Sequence, residues 1–411
     1  MKILRRVLLV IILIFLYTYF IAIDCIPNDI VVFEGENLNI KTIFGISINS
    51  KEDYQTATTS STISNNVSNS VGTKKVSVNL FDNFDIKDIN VNVIPKTKVV
   101  PLGTLAGVKL YTNGVLVVGM SEIEGNDQNK YKPYENSGIE EGDMIISINE
   151  KNISSTNELV NTVNESKGIA VDVKYVRDGK TEECSIKPVQ TSNNEYKLGL
   201  WVRDSAAGVG TVTFYEPSSK MFGALGHGIT DIDTGELLNI AKGEFITTKS
   251  LAITKGSKGT PGKIQGTIDN QLNIGEIYKN TNFGIYGKVN NLSALNSSNG
   301  DELDVAYREE IKEEKAYILC SLGNGVPEKY EIEIEKVYLN NNYNNKSMLI
   351  KVTDKALLEK TGGIIQGMSG SPIIQNGKFI GAVTHVLVSD PQEGYGVFAD
   401  MMIKQLKSAN N

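Results

Sequence analysis

From Leu198 to its C-terminus the chain is studded with glycine, and turn signals break short alternating apolar runs about every 8 to 12 residues. That rhythm suits a β sandwich or barrel and leaves little room for long helices. The whole chain has 411 residues, enough for two or three domains with real cores. Its 41 basic and 48 acidic residues give a net charge of −7, and no basic stretch interleaved with aromatics follows Arg6, so nucleic acid is not an expected partner. Cys25, Cys184 and Cys320 stand apart from one another and from histidine, without zinc-ligand spacing. No metal and no cofactor is expected, and the thiols read as unpaired.

At the N-terminus Lys2, Arg5 and Arg6 precede the apolar run from Val7 to Ile23. A charged flank before such a run directs export, and its length is at the short end of what spans hydrocarbon as a helix. Residues 1–26 are therefore expected to be a signal or membrane anchor, with the rest of the chain outside the cytoplasm. Residues 27–100 read as a small β domain. Within it, residues 50–73 are rich in Ser, Thr and Asn, lack apolar periodicity, and are expected to form a mobile loop.

Residues 101–188 change to short β runs around one helical stretch, Ser155 to Ser166. The string SGIEEGDMIISINE, Ser137 to Glu150, resembles the PDZ family, and Ala170–Val176 and Glu182–Pro188 look like its closing strands. The resemblance implies a peptide groove that works by strand addition. It also implies a loop whose free amides take a peptide carboxylate, and upstream that loop would be Gly103, Thr104, Leu105, Ala106 and Gly107.

The segment Gly362 to His385 carries the chemistry. Gly367-Met368-Ser369-Gly370 is followed by a Pro and by two apolar runs joined at Asn376-Gly377, which sets a serine on a tight turn before a hairpin. A hydroxyl nucleophile needs such a turn, whose own amides, here Gly367 and Ser369, face the developing oxyanion. Ser371 is the alternative nucleophile. Serine also needs a base, and the chain holds only two histidines. His227, between Gly226 and Gly228, is the expected base, and His385 reads as a pocket or core residue. Asp231, Asp233, Asp269 and Glu276 are among the acids able to orient the imidazole. Met368 stands where trypsin-like enzymes carry an Asp before the nucleophile, so activation by that ion pair is excluded.

The order His, then acid, then Ser matches the chymotrypsin-like arrangement. Together with GHGITDIDTG, FGIYGKV and the run from KVTDKALLEK to EGYGV, it resembles the stage IV sporulation protein B peptidases, a PDZ-containing sporulation family. The resemblance implies a catalytic set of His227, Asp354 and Ser369, although Asp354 also suits the N-cap of a short helix. The expected architecture is mainly β, with an N-terminal membrane helix, a small β domain, a PDZ-like α+β domain and a chymotrypsin-like β-barrel peptidase domain over residues 198–411. The resemblance further implies a signalling endopeptidase, exported and tethered to the membrane in the space around the forespore. It would cut itself, within 50–73 or near Val99, and then the regulatory anchor subunit of an intramembrane metalloprotease, so that a late mother-cell sigma factor is processed. The rival readings are a catalytically idle PDZ scaffold and a quality-control protease of the HtrA kind; the PDZ module preceding the catalytic part speaks against the latter.

Overall fold

The computed structural model describes the chain except residues 1, 25, 27, 37, 42–45, 51–61, 66–69, 82–83, 296–299, 323–324, 340–344 and 409–411. The first element is helix α1, Lys2–Asp24. Among the described residues no helix is long and apolar enough to cross a membrane, which corrects the expectation of a spanning segment. Arg5 and Arg6 bound its aliphatic run on one side, and Tyr17, Thr18 and Tyr19 interrupt it on the other. Its side chains Leu9, Ile14 and Phe20 stand exposed.

A four-stranded sheet follows in the order Asp29–Phe33, Phe84–Ile94, Gly72–Leu80, Ile46–Ser50, its first pair parallel. Within the expected mobile loop, Thr62–Asn65 is a strand paired with Leu38–Lys41, while 51–61 and 66–69 lie outside the described residues.

The core of the molecule is a pair of barrels built to one plan. The first uses β1 (Lys98–Met120), β2 (Leu200–Glu216), β3 (Met221–Ala224), β4 (Ile240–Thr254), β5 (Lys263–Thr281) and β6 (Gly284–Val289). Their order is β1-β2-β3-β6-β5-β4, and β4 pairs back onto β1 to close the ring. The second uses β7 (Lys315–Ser321), β8 (Pro327–Val337), β9 (Met348–Val352), β10 (Pro372–Gln375), β11 (Lys378–Leu387) and β12 (Asp390–Phe398). It closes as β7-β8-β9-β12-β11-β10, the same order repeated. Closure pairs most strand edges within each barrel. Asn376 and Gly377 form the expected two-residue hairpin, both at positive φ (51° and 76°).

The PDZ module is inserted between β1 and β2. β1 runs 23 residues, its first part in the barrel and its end, at Val115 and Leu116, paired with Met144–Ile148 of the PDZ sheet. The barrel thus begins at Lys98, ahead of the PDZ module. Helix α2, Thr156–Glu165, lies where the sequence places it, with Ser155 as N-cap. The buried Asp143 of the PDZ string accepts two bonds from Arg177, at 2.7 and 2.6 Å, fixing the turn before Met144–Ile148 to the next strand.

Two further helices, α3 (Lys355–Thr361) and α4 (Ala399–Lys407), complete the fold. One hydrophobic core joins Val31 and Val91 of the N-terminal sheet, Phe214 and Tyr286 of the first barrel, Phe379 and Val397 of the second, and Ile403 of α4. The barrels are therefore locked face to face, with the catalytic candidates at their seam. Cys184 and Cys320 are free, and Cys25 lies outside the described residues.

Candidate active site

β3 ends in a sharp turn, with Leu225 and Gly226 both left-handed (φ 68° and 70°). A Cβ on Gly226 would approach Thr384 Cγ2 to 3.0 Å and Val397 Cγ1 to 3.1 Å, so only glycine lets the turn lie this close to β11 and β12. His227 follows, at the seam. Its Nδ1 is 2.8 Å from the Gly228 carbonyl, which makes Nδ1 the protonated nitrogen and leaves Nε2 as the basic one.

Ser369 comes from the other barrel. Its turn is pressed against β2: a Cβ on Gly370 would lie 2.2 Å from the Thr211 carbonyl oxygen. Thr211 N–H donates to the Ser369 carbonyl (3.1 Å), and Thr211 Oγ1 donates to the Gly367 carbonyl (2.7 Å). The amides of Gln366, Met368, Gly370 and Ser371 donate to Gly262, Ile365, Val383 and Met368 carbonyls respectively. Among the described residues, the amides left without an acceptor in this turn are those of Gly367 and Ser369, the two expected to face an oxyanion.

His227, Gly367 and Ser369 line one cavity of about 270 Å³, together with Ala206–Val209 of β2. The Ser369 hydroxyl donates to the Thr384 carbonyl at 2.7 Å, not to His227, so meeting the imidazole requires rotation to another χ1 rotamer. Ser371 is fully buried and lines neither this cavity nor its neighbour.

That neighbour, about 440 Å³, is lined by His227, Asn282, Lys346 and His385 among others. The two imidazole rings are 5.1 Å apart and tilted by 36°. Burial, then repulsion from His227 and Lys346, pushes His385 down to about 4. Burial also lowers His227 from its ordinary 6.5, against the opposing pull of the Gly228 carbonyl.

The acids fall elsewhere. Asp354 is the N-cap of α3: Oδ1 accepts from Leu357 N–H (3.0 Å) and Oδ2 from Glu331 N–H (3.3 Å), and it lines neither cavity. Both its oxygens serve the backbone of its own barrel, which corrects its implied place beside His227. Asp231 and Asp233 bind Arg203, Glu276 meets Asn290 at 3.4 Å, and the Asp269 side chain lies outside the described residues. Among the described residues no carboxylate contacts His227. The turn between β5 and β6, on the histidine's own barrel, supplies Asn282 to the neighbouring cavity instead.

A base without a carboxylate partner has a pH signature. Because burial holds the His227 pKa down, its neutral, proton-accepting form persists below 6.5 and is lost only at more acid pH. The rate at which a fluorophosphonate labels Ser369 is expected to fall with an acid midpoint below about 6.5; a midpoint above that value would reveal a carboxylate at Nδ1.

The expected carboxylate loop is not a loop. Leu105, Ala106 and Gly107 pair with Thr211, Gly210 and Val209 of β2 on one side, and Ala106 and Gly107 with Thr247 and Ile246 of β4 on the other. Gly103 packs 2.6 Å from the Leu319 carbonyl oxygen, counted from its would-be Cβ, and Thr104 Oγ1 donates to Leu295. With Thr104–Gly107 paired to β2 and Ala106 and Gly107 also paired to β4, this stretch is a barrel strand and not a loop open to a peptide.

Helix α2 packs instead against the start of β2. Half-buried Leu200 and Val202 pack on the core that holds Leu159 and Val163 of α2, and Asp204 accepts from Thr156 N–H at 2.8 Å, tying strand to helix. Leu198 and Gly199, just before the strand, donate no backbone bond among the described residues, and Gly199 is left-handed at φ 77°. The overlooked signal is Leu198-Gly199-Leu200-Trp201, an apolar-Gly-apolar-aromatic string close to the Gly-Leu-Gly-Phe type of carboxylate loop.

A PDZ domain model matches residues 107–187. Among solved structures the chain is similar to the PDZ domain of the SdrC-like protein from Listeria monocytogenes (22% identity, 22% of this chain and 87% of that one, TM-score 0.18). It is also similar to the Rv3671c protease from M. tuberculosis in its active form (15% identity, 61% of this chain and 85% of that one, TM-score 0.27). For the inactive form the figures are 13%, 49%, 85% and 0.28. The model of the SpoIVB peptidase S55 family matches residues 194–403, more than half of the chain, and the protein therefore belongs to that family, as a serine peptidase of the SpoIVB type carrying a PDZ domain.

Proposed function

We propose that the protein is an exported signalling endopeptidase that hydrolyses peptide bonds through an acyl-enzyme on Ser369, with His227 as general base. One observation carries this reading: an imidazole from the first barrel and a serine from the second line one cavity, beside two unengaged amides. In the mechanism, Ser369 turns from Thr384 toward Nε2, gives up its proton and attacks the carbonyl carbon. The Gly367 and Ser369 amides hold the oxyanion, and the imidazolium returns the proton to the leaving amine. The Gly228 carbonyl keeps the tautomer that a carboxylate keeps in a triad. The working unit is thus a dyad.

In the same proposal the exposed apolar side chains of α1 attach the chain to a membrane. Its compartment is the space around the forespore, and its targets are its own N-terminal region and the regulatory anchor subunit of an intramembrane metalloprotease, upstream of a late mother-cell sigma factor. Family membership supports these assignments. The idle-scaffold reading draws on the serine hydroxyl donated to Thr384. A fluorophosphonate decides between them, since an enzyme is labelled at Ser369 and a scaffold is not. For self-cleavage, mass spectrometry of the exported chain should show fragments that vanish in Ser369→Ala; equal fragmentation in both would refute cleavage by this serine.

A further inference from the structure

β2 is continuous from the PDZ groove to the nucleophile, and one of its edges is open for the whole distance. From Leu200 to Gly210 it pairs with β1 on one side, with register shifts at Trp201/Val202 and Arg203/Ser205, and among the described residues no strand pairs with the other side until Val212 meets β3. At one end of this open edge lie α2 and the free amides of Leu198 and Gly199. At the other end Ala206–Val209 line the cavity of Ser369, and the Thr211 amide holds the Ser369 carbonyl. Ala207 and Gly208 are exposed between them.

The PDZ end sets the chain direction. A peptide whose carboxylate rests on the Leu198 and Gly199 amides must run antiparallel to β2, its upstream residues passing Val202, Asp204 and Ala206 in turn. Continued along the same edge past these irregularities, that strand reaches Ser369 with the residues C-terminal to the scissile bond still lying on β2. Nothing in the path has to reverse. We propose that β2 is a single template that takes one substrate from the PDZ groove into the catalytic cavity, so that the enzyme prefers chains with a free C-terminus at a set distance beyond the cut. From Leu200 to Val209 there are nine residue steps, so at ~3.3 Å each the template is roughly 30 Å long and the released C-terminal piece is about ten residues. The inference rests on the peptidase reading and names its substrate class in trans: protein tails that end in a carboxylate and are extended over their last ten or so residues; the cut in the enzyme's own N-terminal region, far from its C-terminus, does not use this template.

The test uses the full chain and mixtures of random synthetic peptides about 25 residues long, which is more than twice the span of the template. One mixture has free C-termini and the other C-terminal amides. Product masses are compared for the enzyme and for Ser369→Ala. In the free-acid mixture, Ser369-dependent cuts are expected to cluster about ten residues from the end, and in the amide mixture to be at least about tenfold fewer, the weight of one lost charge-assisted anchor. Adding five residues to the C-terminus of the same peptides should move the cluster by five. Cuts that follow local sequence and ignore both the carboxylate and the added residues overturn the template while leaving the peptidase standing. Absence of any Ser369-dependent cut, with no fluorophosphonate labelling, overturns the peptidase reading and the template with it.

Discussion

Ser369→Ala and His227→Ala should each lower kcat by about 10⁴- to 10⁶-fold, whereas Asp354→Ala should leave turnover close to that of the parent. The contrast follows from geometry. Removing either member of a base–nucleophile pair ends activation of the hydroxyl, leaving only the residual help of the oxyanion amides. Asp354 instead bonds Leu357 N–H and Glu331 N–H, so its loss uncaps α3 and frees an amide of β8. The expected deficit is about 1 kcal/mol of stability, or a fall in Tm of about 2 to 4 °C. The measurements are steady-state cleavage of a reporter peptide and a thermal melt on each variant. A drop of several decades in kcat for Asp354→Ala, with the melt unchanged, would place a carboxylate in the mechanism and defeat the dyad.

The nucleophile turn and the histidine turn were legible because the constraint on each is local. Gly367, Gly370 and Gly226 take backbone angles or approaches that other residues resist, and those glycines are visible in the string itself. What escaped was non-local. Gly103 to Gly107 reads as a loop through the PDZ resemblance, yet two strands more than a hundred residues later in the chain pair with it, β2 along Thr104–Gly107 and β4 at Ala106 and Gly107. Insertion of the PDZ module within the barrel hides the same way, since one strand alternates apolar and polar whether it serves one domain or two. Asp354 lies fifteen positions before Ser369 in the sequence, but α3 and its cap fill the interval, so closeness along the chain did not become closeness in space. Leu198-Gly199-Leu200-Trp201 was readable, and was obscured by lying next to the strand that feeds the catalytic barrel.

Arg308→Met should destabilise the fold by about 3 to 5 kcal/mol, the largest effect expected from any change outside the catalytic cavity. Arg308 Nε donates to Asp400 Oδ2 at 2.6 Å, with the two side chains only 8% and 1% exposed. The guanidinium also lies 5.2 Å from the centre of the Phe398 ring. Asp400 Oδ1 has no hydrogen-bond partner among the described residues, so removing the arginine from Oδ2 leaves a buried carboxylate without compensation. The position matters for function because Asp400 stands in the first turn of α4. That helix carries Met402, Ile403 and Leu406 into the core shared by the N-terminal sheet and both barrels, the same seam that brings His227 to Ser369. A weakened α4 therefore loosens the junction on which the cavity depends. Urea unfolding measures the deficit, and fluorophosphonate labelling over a range of urea should fall in step with the folded fraction. The double variant Arg308→Met with Asp400→Leu separates charge from packing: it should regain most of the lost stability, because replacing both ions by apolar groups removes the uncompensated charge. If the double variant stays as unstable as the single one, the shape of the arginine against Phe398 holds α4 in place and the ion pair is incidental.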